Sequence, residues 1–223
     1  MTVREALARR KSTRAFLDRE VEPQKLHRVL DAARHAPSGV NTQPWQVAVV
    51  TGDAKKKLQQ QLEKAFRNGV PQAMDYQYYP LVWEEPYKSR RIECGLQLYQ
   101  SVGISRQDKE RRLDQWAANY RAFDAPVALF FFLDPWLQTG SYMDYGMFLM
   151  ALMLAAVEEG LATCPQAALG EYPQIVKEQL GYAGDLVLLG GLAVGYEDPA
   201  APVNSYRTSR LPVEAFTRFY PGG

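Results

Sequence analysis

Arg9, Arg10, Lys11, Ser12 and Arg14 crowd four cations and a hydroxyl into six consecutive positions near the start of the chain. Arg207 and Arg210 form a second basic group near the other end, in the segment Asn204-Ser205-Tyr206-Arg207-Thr208-Ser209-Arg210-Leu211-Pro212. A planar guanidinium fork matches phosphate oxygens, so the two groups, brought together, would make a phosphate site. Taken separately, the first group is what a solvated helix end looks like, since cations favour the negative end of the helix dipole. A third segment reads Ala36-Pro37-Ser38-Gly39-Val40-Asn41-Thr42-Gln43-Pro44-Trp45. Ser38, Asn41 and Gln43 place several donors and acceptors in one short loop, enough to grip a polyhydroxy chain or the edge of a heterocycle. The plain alternative is a polar turn between a helix and a strand.

Composition narrows the chemistry. His27 and His35 are the only histidines, and Cys94 and Cys164 the only cysteines. Neither zinc-ligand spacing nor a histidine-based triad is available, so no metal is expected. Cys164, beside Pro165, reads as a small buried residue rather than a redox thiol. The net charge of +1 supplies no broad field for nucleic acid or a membrane, so any anion site is local. The 223 residues, 47% hydrophobic and 23% charged, suit a single globular domain spanning 1–223. The most apolar stretch, 143–157, is shorter than the roughly 20 residues of a bilayer span and reads as a buried core helix in a cytoplasmic protein.

The elements that must position these residues follow from periodicity. Residues 3–10 read as a helix with Val3, Ala6 and Leu7 on one face. Pro23 opens a second helix with a buried face of Leu26, Val29, Leu30 and Ala33, ended by Pro37-Ser38-Gly39. A valine-rich strand is expected at 46–50, and then a helix capped by Asp53 with Leu58, Leu62 and Phe66 inward. Residues 70–91 hold Pro71, Pro80 and Pro86 among Tyr76, Tyr78, Tyr79, Trp83 and Tyr87. They are too aromatic for a disordered linker and too proline-rich for one regular element, so they read as an ordered excursion. Its aromatics suit either packing against core helices or a lid that stacks on a flat ligand.

A basic helix with Leu113, Trp116 and Tyr120 on one face follows, and then a continuously apolar strand at 127–133, as in a sheet covered on both faces. A core helix at 142–159 stops at Gly160, a short helix spans 173–180 before Gly181, and a third strand spans 186–194. From Tyr196 the chain has little periodicity and reads as a surface tail. Helices outnumber strands, and the class expected is α+β.

Taken together, these segments resemble the FMN-dependent nitroreductase family. The resemblance rests on Arg10-Lys11-Ser12-Thr13-Arg14-Ala15-Phe16, on Pro37-Ser38 through Asn41-Thr42-Gln43-Pro44-Trp45, and on Ser209-Arg210-Leu211-Pro212. Further matches are Asn119 upstream of Ala125-Pro126-Val127, Gly160-Leu161 before Cys164-Pro165-Gln166-Ala167-Ala168-Leu169, and Leu189-Gly190-Gly191-Leu192-Ala193-Val194-Gly195-Tyr196. They span almost the whole chain in the family's order.

The resemblance implies a mixed, largely antiparallel sheet surrounded by helices and an intertwined homodimer with FMN at its interface. It implies a phosphate held by Arg10, Ser12 and Arg210, with Lys11 alongside and Arg207 helping. Arg14 would stand at the flavin pyrimidine edge and Asn119 on the same ring. Pro37, Ser38 and Asn41, supported by Gln43, would come from the partner. Pro165 and Gln166 would lead into Ala167 and Ala168, whose backbone would face flavin N5.

Two departures from the family pattern stand out. Some members have an acidic residue and a glycine at Ala167 and Ala168, and some have lysine at Thr208. The activity implied is hydride transfer from NAD(P)H to a nitroaromatic or quinone by a ping-pong sequence. The alternatives are a halogenated aromatic or enone as acceptor, or a flavin-binding protein without catalysis.

Overall fold

The computed structural model describes residues 1–220. Its centre is a four-stranded sheet in the order β1-β2-β4-β3, formed by β1 (Gln46–Thr51), β2 (Val127–Leu133), β3 (Ala162–Gln166) and β4 (Val187–Gly195). Every neighbouring pair is antiparallel. The parallel element expected of a mixed sheet is reduced to a single bridge, Ser12 to Thr163, on the outer edge of β3.

All of β2 is buried, and its alternation builds two cores. Ala128, Phe130 and Phe132 point to one face, where Leu58 and Leu62 of α3 (Gly52–Arg67) and Val176 of α7 (Pro173–Leu180) cover them. Val127, Leu129, Phe131 and Leu133 point to the other. There Val29 and Ala33 of α2 (Pro23–Ala33) and Phe148, Leu152 and Ala156 of α6 (Thr139–Glu158) close the layer. A strand covered on both faces reads as a continuous apolar run, which is why it was legible without alternation.

β4 carries the sheet's irregularity. Its register against β2 shifts between Phe131 and Phe132, leaving Leu189 as an extra residue in a bulge. Gly190 takes φ 137°, and a Cβ there would meet the Gln166 carbonyl at 2.9 Å. The Gly190-Gly191 pair therefore lets β4 lie against β3 and the turn that follows it. The bulged Leu189 carbonyl accepts from the Tyr76 hydroxyl at 2.7 Å.

The start of the excursion is welded to this part of the molecule. Asp75 accepts from Leu188 N at 2.8 Å and pairs with the buried Lys177 at 2.9 Å. Ala73 N donates to the Glu171 carbonyl, and the Tyr172 hydroxyl donates to the Val70 carbonyl. Tyr76 thus packs into the structure, whereas Tyr78, Tyr79 and Tyr87 remain exposed.

Several expected boundaries move. α1 (Val3–Arg9) begins from Thr2 in a capping box with Glu5, but only Ala6 is buried; Val3 and Leu7 are exposed. The helix expected to be capped by Asp53 starts two residues earlier, with Thr51 at the cap position and Asp53 contributing charge to the first turn. The excursion stops at Pro86, because α4 (Tyr87–Ser101) continues from it; α4 buries no side chain and so left no periodic stripe to read. α5 (Lys109–Ala117) exposes Leu113 and Trp116, and Tyr120 lies beyond its end in the core, fully buried. β3 was not anticipated. The tail begins with a buried Tyr196, whose hydroxyl donates to Glu22 at 2.7 Å.

α6 starts at Thr139 rather than at 142. At 20 residues it is, among the described residues, the one helix long and apolar enough to cross a membrane by length and composition. Here one side of it forms a core layer with α2 and the sheet.

Candidate functional site

The two basic groups meet. Arg10, Lys11, Ser12 and Arg14 line one cleft of about 560 Å³ together with Tyr206, Arg207, Thr208 and Arg210. Among the described residues, no carboxylate lines it. The meeting is built by long-range hydrogen bonds. The buried Asn204 accepts from Arg14 N at 2.8 Å and donates to the carbonyls of Ala15 and Asp198, both at 2.9 Å. On the same tail, Lys11 donates to the Asn204 carbonyl and pairs with Glu197 at 2.7 Å. Arg207 donates to the carbonyls of Arg9 and Arg10, closing the C-terminal end of α1. Arg210 folds onto its own turn, reaching Thr208 Oγ1 at 2.8 Å.

These contacts leave a local excess of positive charge. Lys11 is neutralised by Glu197, but Arg10, Arg14, Arg207 and Arg210 have no carboxylate partner among the described residues. Burial, and then the adjacent Arg210 and Arg207, lower the Arg10 pKa from its ordinary value. The buried Arg10 Nε has no hydrogen-bond partner. An orphaned guanidinium donor costs free energy unless an acceptor meets it, and an anion in the cleft is the acceptor that this geometry suits.

Arg14 and Cys94 are shared with a second, wider cleft of about 660 Å³. Asn119, Pro165, Ala167 and Ala168 line it, beneath walls from α4 and α5 that include Tyr99 and Trp116. Gln166 lines neither cleft. It is buried behind Asn119, and its amide donates to the Asn119 carbonyl at 2.9 Å and to Asn119 Oδ1 at 3.3 Å. The Asn119 amide in turn donates to the Trp116 carbonyl at 2.9 Å.

Glu171, unnoticed in the sequence, also lines this cleft and accepts from the Tyr120 hydroxyl. Burial pushes its carboxyl upward. Cys164 lies buried behind the arginines, and burial pushes its thiol up to about 11. It is an inert packing residue, as its position beside Pro165 suggested.

Pro37, Ser38, Asn41 and Gln43 line neither cleft of this chain. Their loop is nonetheless held by hydrogen bonds. Gly39 N donates to Asp144 Oδ1 at 3.1 Å, Gln43 N to Ser38 Oγ at 2.9 Å, and the Gln43 amide to the Asn41 carbonyl at 3.2 Å. Val40, Asn41 and Gln43 all take positive φ, 45°, 60° and 49°. Val40, a β-branched residue in that region and 98% exposed, is a strained feature presented outward.

The sequence model of the nitroreductase family matches residues 7–196. The nitrobenzene nitroreductase of Ectopseudomonas oleovorans is 35% identical over 213 residues, covering 94% of this chain and 93% of that protein. The crystal structure of the FMN and NADPH-dependent nitroreductase NfnB from sphigopyxis sp. strain HMH superposes with a TM-score of 0.96 at 39% identity over the full length of both chains. That of NfnB from Mycobacterium smegmatis in complex with NADPH gives 0.92 at 32% identity, covering 99% of this chain and 100% of that one. The match extends over nearly the whole chain in sequence and in fold, and the chain belongs to the nitroreductase family.

Proposed function

We propose that this chain is an FMN-dependent oxidoreductase that takes hydride from NAD(P)H and reduces nitroaromatic acceptors, with quinones accepted in the same pocket. The observation that carries the reading is the carboxylate-free arginine cleft with its unpartnered Arg10 Nε, opening through Arg14 into a wider aromatic cleft. A phosphate monoester fits the first and a flat ring system the second. The relatives support the cofactor: the sphigopyxis enzyme is FMN and NADPH-dependent, and the Mycobacterium smegmatis structure contains NADPH. The Ectopseudomonas protein reduces nitrobenzene, which supports the acceptor class.

Arg10, Ser12 and Arg210 hold the phosphate, and Arg207 secures the helix end beneath it. Arg14 stands where the clefts join; its cation would favour negative charge on the ring system of a bound flavin. Asn119, oriented by Gln166, and the backbone of Ala167 and Ala168 would hold the ring in the wider cleft that they line. The bound group supplies hydride relay between nicotinamide and acceptor, in two half-reactions that share one pocket.

The site is completed by a second copy of the chain. Pro37, Ser38 and Asn41, braced by Gln43, reach it from that copy, which accounts for an ordered, strained loop that serves neither cleft of its own chain. Met143 and Met147 on α6 and Phe216, Phe219 and Tyr220 in the tail are exposed apolar side chains that such a dimer would cover. The cytoplasm, where NAD(P)H is available and free thiols such as Cys94 and Cys164 persist, is the expected compartment.

The test is direct. The purified protein should be yellow, release FMN on heating as identified by chromatography, bleach on anaerobic NADPH titration, and recover its colour with a nitroaromatic. Light scattering should give twice the chain mass of 25.2 kDa. FAD instead of FMN, or no flavin under any reconstitution, would sink the reading.

A further inference from the structure

The wider cleft has a feature that hydride transfer does not call for. Arg91, Arg106 and Arg112 line it in addition to Arg14. Two carboxylates close to these arginines in sequence are committed elsewhere. Asp108 pairs with Arg111 at 3.6 Å and Asp114 with Arg67 at 2.8 Å. Among the described residues, none of the three has a carboxylate within ion-pair distance, and Glu171 is the only carboxylate in the lining.

Two of the three, Arg112 and Arg91, are held by flat surfaces instead. The Arg112 guanidinium lies 4.0 Å from the centre of the Tyr99 ring, and that of Arg91 lies 5.3 Å from the Trp83 ring. Stacking of this kind orients a guanidinium while leaving its N–H edge free for an oxyanion. In a chain of net charge +1, cations gathered in one aromatic cleft without an ion-pair partner among the described residues form a local positive field.

We propose that the outer part of this cleft is an anion-recognition rim, in which Arg91, Arg106 and Arg112 hold a negatively charged group carried at the edge of a flat ligand. The inference rests on the flavin reading above and names the ligand class of that same site. Two ligands supply this chemistry: an acceptor carrying an aryl carboxylate, and the 2′-phosphate of NADPH.

The experiment uses flavin-loaded protein and redox-inert probes, with binding read by calorimetry and by the shift of the flavin spectrum. Benzoate is compared with benzamide, and adenosine 2′,5′-bisphosphate with adenosine 5′-monophosphate. In at least one pair the more anionic probe should bind about tenfold more tightly, as one or two charge-assisted hydrogen bonds allow. The preference should shrink as salt is raised. R91Q/R106Q should abolish it while FMN content and affinity for the neutral probe stay unchanged, and R91K/R106K should retain it.

Which pair shows the preference identifies the acceptor or the nucleotide as the source. No preference in either pair, a preference that survives in R91Q/R106Q, or equal loss in R91K/R106K overturns the rim. Absence of FMN from the purified protein would be a failure of the underlying reading; flavin-loaded protein without anion preference overturns the rim alone.

Discussion

The two clefts that share Arg14 are built in opposite ways. The narrower one is closed by hydrogen bonds that join residues 190, 193 and 197 positions apart, so its arginines are placed by the whole fold. The wider one owes its outer wall to α4, which buries no side chain, and to short-range ties such as those from Arg111 to the carbonyls of Val102 and Gly103. An element with few buried contacts opens at low free-energy cost. On the proposed function, the half that presents a fixed pattern of donors is tied across the whole chain, and the half that meets changing ligands rests on a helix that buries no side chain.

That contrast predicts unequal responses to substitution. Asn204→Ala should be the most damaging, because three hydrogen bonds at one buried side chain are lost together. At about 0.5–1.5 kcal/mol each, the cost is roughly 1.5–4.5 kcal/mol, read by urea unfolding of the apoprotein. FMN affinity should fall with it. A loss of less than about 0.5 kcal/mol would mean that the tail is not what holds the arginines.

Arg14→Ala comes next. It removes one charged hydrogen bond worth about 1.5–3 kcal/mol, so anaerobic stopped-flow reduction should slow about ten- to a hundredfold. Arg210→Ala should instead shed FMN and leave reduction of the remaining holoenzyme near the parental rate. If both variants behave alike, the division between anchoring and tuning at the junction of the clefts is wrong.

The mildest test leaves the sequence intact. Cys94 is exposed and lies in the shared wall, whereas Cys164 is buried with its thiol pushed up to about 11. Maleimide should label Cys94 in the apoprotein and be slowed by added FMN, while Cys164 should react only after unfolding. Labelling of Cys164 in the native state would show that the rigid half opens as readily as the other.

What was legible in the sequence divides along the same line. The buried run of β2 and the Gly181 stop after α7 follow from local patterns, and both stand where they were expected. The two arginine groups could be named but not joined, because their convergence depends on Asn204 and Lys11 reaching across the chain. α4 was unreadable for a physical reason: a helix with no buried face has no apolar stripe to reveal it. β3 was hidden because Ala162-Thr163-Cys164-Pro165-Gln166 is short and contains proline. It is an edge strand, where proline is tolerated. Glu171, Arg106 and Arg112 became visible only with the cleft they line.

The sheet's other edge has a consequence for handling the protein. The outer side of β3 is met by Ser12 and by Thr13 N, which donates to Thr163 O at 3.0 Å, but the outer side of β1 pairs with no named strand among the described residues. β1 reads Gln-Val-Ala-Val-Val-Thr, uncharged and free of proline. An unpaired strand of that composition is a template for another strand, and six such residues suffice to seed stacking between chains. Association through that edge grows steeply with concentration, so a concentrated preparation is where it should first limit the working lifetime of the folded protein.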